Sequence, residues 1–197
     1  MRIAIANAKG GVAKTTTAIY LASTIAHRGG LVEVWDADPQ SSASLWADAA
    51  ADAGDPLPYQ VLPANLSTMR RLASASVDDG RWSIIDCPPQ GKLLEAAVRS
   101  VDFVIVPTSD SPMDLQQAWA TLDEVLKNTP ASVLVVRAQC NTRAFRDTMD
   151  ALEESDSPRF ETVIRFRQEI KKGLGSNPGD KLYEYRDLLT EIDKELR

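Results

Sequence analysis

Short apolar runs alternate along this chain with longer stretches whose apolar residues recur every three or four positions. Ile3-Ala4-Ile5-Ala6, Val32-Glu33-Val34-Trp35, Trp82-Ser83-Ile84-Ile85 and Val104-Ile105-Val106 are nearly continuous in apolar character. Runs of this kind suit strands covered on both faces. The pattern predicts strands near 2–7, 32–36, 58–62, 82–86, 102–107, 132–137 and 160–165. It predicts helices near 15–28, 40–52, 65–76, 92–99, 113–128, 143–154, 168–174 and 180–196. Asn65 reads as an N-cap, Gly29-Gly30 as a helix stop, and Asp55-Pro56-Leu57-Pro58 as a surface turn. Strand and helix in regular alternation predict an α/β fold: three layers, a doubly wound and mostly parallel sheet, helices on both faces. The expectation is one domain over residues 1–197.

Composition narrows the class without naming a function. A hydrophobic share of 44% is ordinary for a globular chain, and 197 residues suffice for a sizeable core. No apolar run approaches the length of a membrane span, and the N-terminus is strand rather than signal peptide. Cys87 and Cys140 are too few for a disulfide scaffold, which points to a reduced, cytoplasmic setting. One histidine, His27, and two scattered cysteines exclude a Ser-His-Asp triad or a zinc cluster. His27 reads as a surface residue at a helix C-terminus. The net charge of −6 means that any contact with nucleic acid must come from a local basic patch.

The chemistry concentrates after the first strand, in Asn7-Ala8-Lys9-Gly10-Gly11-Val12-Ala13-Lys14-Thr15-Thr16. Strand, glycine-rich turn, Lys-Thr and helix is the layout of a phosphate-binding loop. Small residues let backbone N–H groups from Gly11 to Thr16 converge on an anion, and the helix N-terminus adds its positive end. The Lys14 ammonium can reach β- and γ-phosphates, and the Thr15 hydroxyl can sit on Mg²⁺. The expected ligands are ATP or ADP and Mg²⁺, with Lys9, Gly10, Gly11, Val12, Ala13, Lys14, Thr15 and Thr16 forming the cradle. Ala13 carries a strain of about 1 kcal/mol if its φ must be positive.

Acids end two strands on the same side of the expected sheet. The second strand runs into Asp36-Ala37-Asp38-Pro39-Gln40. Asp38 before Pro39 also suits a helix N-cap. Trp82-Ser83-Ile84-Ile85-Asp86 is a hydrophobic strand ending in an acid, the Walker B pattern, in which Asp86 holds Mg²⁺ through a water. Asp110 and Asp114 follow the fifth strand, where Asp114 reads as a helix cap or as a partner contact. Arg137 either stacks on a base or pairs with a surface carboxylate, and Phe166-Arg167-Gln168 is the other candidate for the base. Arg159, Arg165, Arg167, Lys171 and Lys172, diluted by Glu161 and Glu169, form either a phosphate-contacting patch or a solvated mixed face.

Lys-Gly-Gly-x-x-Lys-Thr-Thr with Lys9 in front, Asp-x-Asp-Pro-Gln at 36–40 and Asp-Cys-Pro-Pro at 86–89 resemble the deviant Walker A ATPases of the ParA/MinD family. The resemblance covers nearly the whole chain. It implies a homodimer sandwiching two nucleotides, with Lys9 reaching the partner's nucleotide, Asp38 orienting the attacking water and Asp36 supporting the metal or the switch. Lys9, Lys14 and Asp38 are thus the expected catalytic residues, and Thr15, Asp36 and Asp86 the expected metal site. With the loop at residue 7 and no helix-turn-helix segment ahead of it, the chain is similar to the small ParA partition ATPases. That likeness implies DNA segregation, non-specific DNA binding by the ATP dimer on the nucleoid, and hydrolysis stimulated by a ParB-type centromere-binding partner. A MinD-like positioning role remains the alternative, although the acid-rich C-terminal helix is expected to pack on its own domain and not on membrane. Lesser alternatives are a metabolic relative that phosphorylates a carboxylate, a non-catalytic nucleotide switch, and an iron-protein relative. Against the last, Cys87 and Cys140 read as buried thiols, with Cys87 expected to turn toward the nucleotide.

Overall fold

A computed structural model describes residues 1–75 and 80–196. The order of elements is β1 (Arg2–Ile5), α1 (Lys14–His27), β2 (Val32–Asp36), α2 (Ser42–Asp52), β3 (Gln60–Pro63), α3 (Leu66–Ser74), β4 (Trp82–Asp86), α4 (Lys92–Val98), β5 (Phe103–Thr108), α5 (Pro112–Val125), β6 (Ala131–Ala138), α6 (Arg143–Glu154), β7 (Ile164–Arg165), α7 (Gln168–Lys172) and α8 (Tyr185–Leu196). The strands form one seven-stranded sheet in the order β3-β2-β4-β1-β5-β6-β7, and every described pairing is parallel.

Strand alternation divides the core into two layers. Ile3, Ile5, Val34, Ile84 and Ile105 point to the face covered by α1, α2 and α8. Ala4, Ala6, Trp35, Ile85, Val104 and Val106 point to the face covered by α3, α4, α5 and α6. Both faces being buried explains why these strands are apolar at most successive positions. The central β1 lies between β4 and β5, so the chain leaves it at the point where the winding reverses. That crevice at the carboxyl ends of the strands is where open parallel sheets take ligands.

Local signals account for several boundaries. The Asn65 side chain accepts from Thr68 N–H at 3.1 Å and so caps α3 as expected. Gly29, at φ 79°, ends α1 while Gly30 N–H returns to the Ile25 carbonyl. The helix expected over 65–76 is described to Ser74, and Ser76 lies outside the described residues.

Two expectations need correction. The strand expected over 160–165 is reduced to β7, preceded by an isolated bridge between Val133 and Arg159, because the β6–β7 register shifts between Val136 and Ala138. The last helix begins at Tyr185 rather than 180. Pro178-Gly179 turns the chain first, and Tyr183 at φ 48° is incompatible with helix. Once started, α8 buries Leu188, Leu189 and Ile192 against α1, and Tyr185 stacks on Tyr20 with centroids 5.1 Å apart. Its apolar stripe is therefore spent on its own domain, as expected. No described helix is long and apolar enough to cross a membrane.

Candidate nucleotide site

The loop between β1 and α1 is braced from behind. Asn7, fully buried, donates to the Pro107 carbonyl at 2.8 Å and accepts from Lys9 N–H at 2.8 Å. Ala8 N–H donates to Thr121 Oγ1 of α5 at 3.1 Å. Beyond these braces, among the described residues, no backbone N–H from Gly10 to Thr16 donates to a backbone acceptor. Gly11 has φ 78°, and Ala13, at the N-cap of α1, has φ 63°. The expected left-handed conformation at position 13 is present, and Ala carries its cost of about 1 kcal/mol. Alternation of this kind curls successive N–H groups into an anion-binding concavity.

Lys14 is only 7% exposed and donates to the Lys9 carbonyl at 2.9 Å. Burial pulls its pKa below the usual lysine value, opposed by the charges of Asp86 and Asp38. Thr15 Oγ1 donates to Asp86 Oδ2 at 2.7 Å. Asp86 itself is 0% exposed. Burial is the first reason that its pKa rises to about 7, and Asp36 adds to the rise, against the Thr15 hydrogen bond and Lys14. Its other oxygen, Oδ1, has no hydrogen-bond partner. A buried, orphaned carboxylate oxygen beside a threonine hydroxyl is a hard-oxygen donor set, and it fits Mg²⁺.

The two aspartates after β2 separate in role. Asp36 lies level with Asp86 in the sheet register. Its Oδ2 accepts from Ser44 N–H at 2.8 Å and Ser44 Oγ at 2.7 Å, and Oδ1 accepts from Asp38 N–H at 3.3 Å. Oδ2 is thus tied to the first turn of α2 and Oδ1 to the turn ahead of it. Asp38 is half-buried, and its Oδ1 accepts from Gln40 N–H at 2.9 Å. The N-cap expectation for Asp38 fails: α2 starts at Ser42 behind Ser41, so Asp38 closes a turn ahead of the helix. A cavity of about 590 Å³ brings Gly11, Lys14, Thr15 and Thr16 together with Asp38 and Pro88. Lys9, Val12, Asp36 and the fully buried Asp86 do not line it.

Lys9 folds back instead. Its ammonium pairs with Asp114 Oδ1 in the first turn of α5, and Ser109 Oγ donates to Asp114 Oδ2 at 2.6 Å. Burial works to raise the Asp114 pKa, but the bonds from Lys9 and Ser109 outweigh it and hold the carboxyl below its usual range. Asp114 therefore serves Lys9 and not the helix end. The Arg137 guanidinium donates to the Gly11 carbonyl at 2.7 Å. A second cavity, of about 270 Å³, opens beside Ala13 and Thr16 and joins Arg137 to Phe166, Arg167, Leu174 and Tyr185.

Two further expectations change. Cys87 does not turn toward the loop. Alternation after Asp86 sends it into the opposite core layer with Ala4 and Ala6, where burial pushes its thiol pKa up. The basic group is largely neutralised. Arg159 pairs with Glu161 at 3.1 Å, and Arg167 pairs with Glu184 at 2.5 Å while stacking over the Tyr183 ring at 4.6 Å. Arg165 lies 3.9 Å from the same Glu184. Lys171 and Lys172 stay exposed at the end of α7. His27 sits at the end of α1, 3.4 Å from Asp180.

The chain is 31% identical to the "Maintenance of carboxysome distribution protein A" of Gloeobacter kilaueensis, over 99% of this chain and 95% of that protein. Among solved structures it resembles a putative plasmid partition protein from Borrelia burgdorferi B31 bound to AMPPNP, with TM-score 0.75, 17% identity, and 99% of each chain covered. It also resembles the cobyrinic acid a,c-diamide synthase of Mycobacterium smegmatis with bound ADP and magnesium, with TM-score 0.72, 22% identity, and 100% and 96% covered. These two likenesses are of fold. The family model for the CobQ/CobB/MinD/ParA nucleotide binding domain matches residues 3–177. A seven-stranded parallel sheet with this loop at its winding reversal, and a family match across most of its length, make the chain a member of the CobQ/CobB/MinD/ParA nucleotide binding domain family.

Proposed function

We propose that this chain is an Mg²⁺- and ATP-dependent positioning ATPase, a single domain that works as a homodimer in the cytoplasm on nucleoid DNA. The observation that carries the reading is the bond from Thr15 to the buried Asp86 with its orphaned oxygen, beside Lys14 and a loop whose N–H groups lack backbone acceptors. Structures sharing this fold hold AMPPNP or ADP with magnesium. Similarity over nearly the full length to a protein of carboxysome distribution supports a positioning role. The cargo class is a partition complex or a large protein assembly, recruited through a ParB-like adaptor that stimulates hydrolysis.

In this reading Lys14 and the N–H groups from Gly11 to Thr16 bind the β- and γ-phosphates. They are already in place, so little reorganisation is needed as charge builds on the leaving phosphate. Thr15 and Asp86 hold Mg²⁺, which when bound neutralises phosphate charge, and Asp36 fixes the start of α2 behind them. Asp38, half-exposed at the cavity wall, orients the attacking water. Lys9 leaves Asp114 to reach the partner's nucleotide when two protomers close. The small cavity beside Ala13 takes the base, walled by Phe166 and Leu174. Exposed Lys171 and Lys172, doubled in the dimer, supply the contact with DNA phosphates. With only these two lysines of the 159–172 group contributing, that contact should be weak and salt-sensitive.

The test is binding to a non-specific DNA duplex with Mg-ATP, with Mg-ADP and without nucleotide, at two salt concentrations. Binding should need ATP and weaken as salt rises. Confirmed ATP binding with no DNA binding in any state would remove DNA as the track.

A further inference from the structure

Arg137 is a cation beside the loop that no part of this mechanism uses. It sits in β6 where the pairing with β7 slips, between Val136 and Ala138. Its backbone is left-handed, φ 56°, a conformation that a side chain with Cβ adopts at a cost. The residues on either side are buried while Arg137 is exposed, so the irregularity breaks strand alternation and turns one side chain out of the sheet end. What the strain achieves is visible at the other end of the side chain. The guanidinium reaches across the crevice and donates to the Gly11 carbonyl at 2.7 Å. Strained residues of this kind persist where the surrounding structure over-determines them, and they cluster at ligand sites.

We propose that Arg137 is a positioning residue that clamps the phosphate loop from the far strand. The Gly11–Val12 peptide is planar and trans, so its C=O and N–H point in opposite directions. Holding the Gly11 carbonyl on Arg137 therefore fixes the direction of the Val12 N–H. Gly11 needs such a hold. It is a glycine at φ 78° with nothing within 4 Å of where a Cβ would stand, so no packing restrains it. An unclamped loop would have to order itself on binding phosphate, and the ordering would weaken affinity. The clamp acts through the loop. It does not require Arg137 to touch base or sugar, although it stands at the boundary between the phosphate cavity and the smaller cavity lined by Phe166 and Leu174. This inference rests on the nucleotide reading of the same site.

The experiment compares wild type with Arg137→Gly, Arg137→Ala and Arg137→Lys. Affinities for Mg-ATP and for inorganic tripolyphosphate are measured by calorimetry, and melting temperature without ligand. Arg137→Gly and Arg137→Ala should both bind ATP and tripolyphosphate about tenfold more weakly, the scale of one lost charge-assisted hydrogen bond. Arg137→Lys, which keeps a cationic donor, should recover most of that loss. Arg137→Gly, relieved of the positive-φ strain, should melt about 2–4 °C above Arg137→Ala while binding no better. That separation of stability from affinity is what a purely structural role would not produce. ATP affinities within twofold of wild type in both variants would overturn the clamp. So would a loss seen with ATP and not with tripolyphosphate, since Arg137 would then act on the nucleoside. Failure of the wild type itself to bind ATP would instead overturn the nucleotide reading.

Discussion

Lys14→Ala is expected to lower ATP turnover by at least about a hundredfold, with most of the loss in binding. Lys14 is the one cation whose ammonium is held inside the loop, on the Lys9 carbonyl and beside Asp86 and Asp38. A bound polyphosphate adds negative charge at the same point and so favours the charged ammonium. The variant should fold. Removing Lys14 takes away a charge that opposes protonation of Asp86, so Asp86 simply keeps its proton at neutral pH. Turnover and nucleotide affinity are read on protein whose melting curve matches wild type. Undiminished turnover would refute the phosphate-loop assignment.

Asp86→Asn should separate stability from function in the opposite sense. Asp86 titrates near 4 in the unfolded chain and at about 7 in the fold, where burial disfavours its charge. Between those values the folded state holds a proton that the unfolded state has released. Stability therefore falls as pH rises through that window, and the full cost is present above pH 7. Asn keeps an acceptor for the Thr15 hydroxyl and removes the buried charge. The shift from near 4 to about 7 already includes the attraction of Lys14, so the gain at pH 8 is at most roughly 4 kcal/mol, the equivalent of three pKa units. At pH 4 the two proteins should melt together. The same variant should lose the extra stabilisation that Mg²⁺ adds to bound ATP, and with it hydrolysis. Thermal melts across pH, with and without Mg-ATP, test both halves. A variant less stable than wild type at pH 8 would contradict the account of Asp86.

The parts of this molecule that were legible in its sequence are those encoded locally. Strands buried on both faces announce themselves as uninterrupted apolar runs, and Asn65 and the Gly29-Gly30 pair mark helix ends by their own chemistry. Gly10, Gly11, Lys14 and Thr15 are likewise a contiguous signature. What was not legible depends on distant partners. Nothing local tells that Ser44 will satisfy Asp36, or that Glu184 will absorb both Arg165 and Arg167. Lys9 and Asp114 are far apart in sequence, and only the packing of α5 beside the loop joins them. Cys87 was misplaced because a side chain next to a functional aspartate in a strand must face the other layer. Arg137 escaped because a left-handed arginine at a register slip has no sequence signal comparable to glycine.

The pairing of Lys9 with Asp114 also frames the central claim, that ATP closes two protomers and hydrolysis releases them. A lysine held at home in the free protomer can cross an interface only when nucleotide makes the exchange favourable. Sedimentation velocity on wild type and Asp38→Ala, each without nucleotide, with Mg-ADP and with Mg-ATP, tests this most directly. Asp38 is half-exposed, and its loss leaves the loop and Asp86 intact. The account predicts monomer without nucleotide or with ADP. It predicts a stable dimer of Asp38→Ala with Mg-ATP, alongside a wild-type dimer that decays as ATP is consumed. Asp38→Ala remaining monomeric while it binds ATP, or hydrolysing ATP at the wild-type rate, would contradict it.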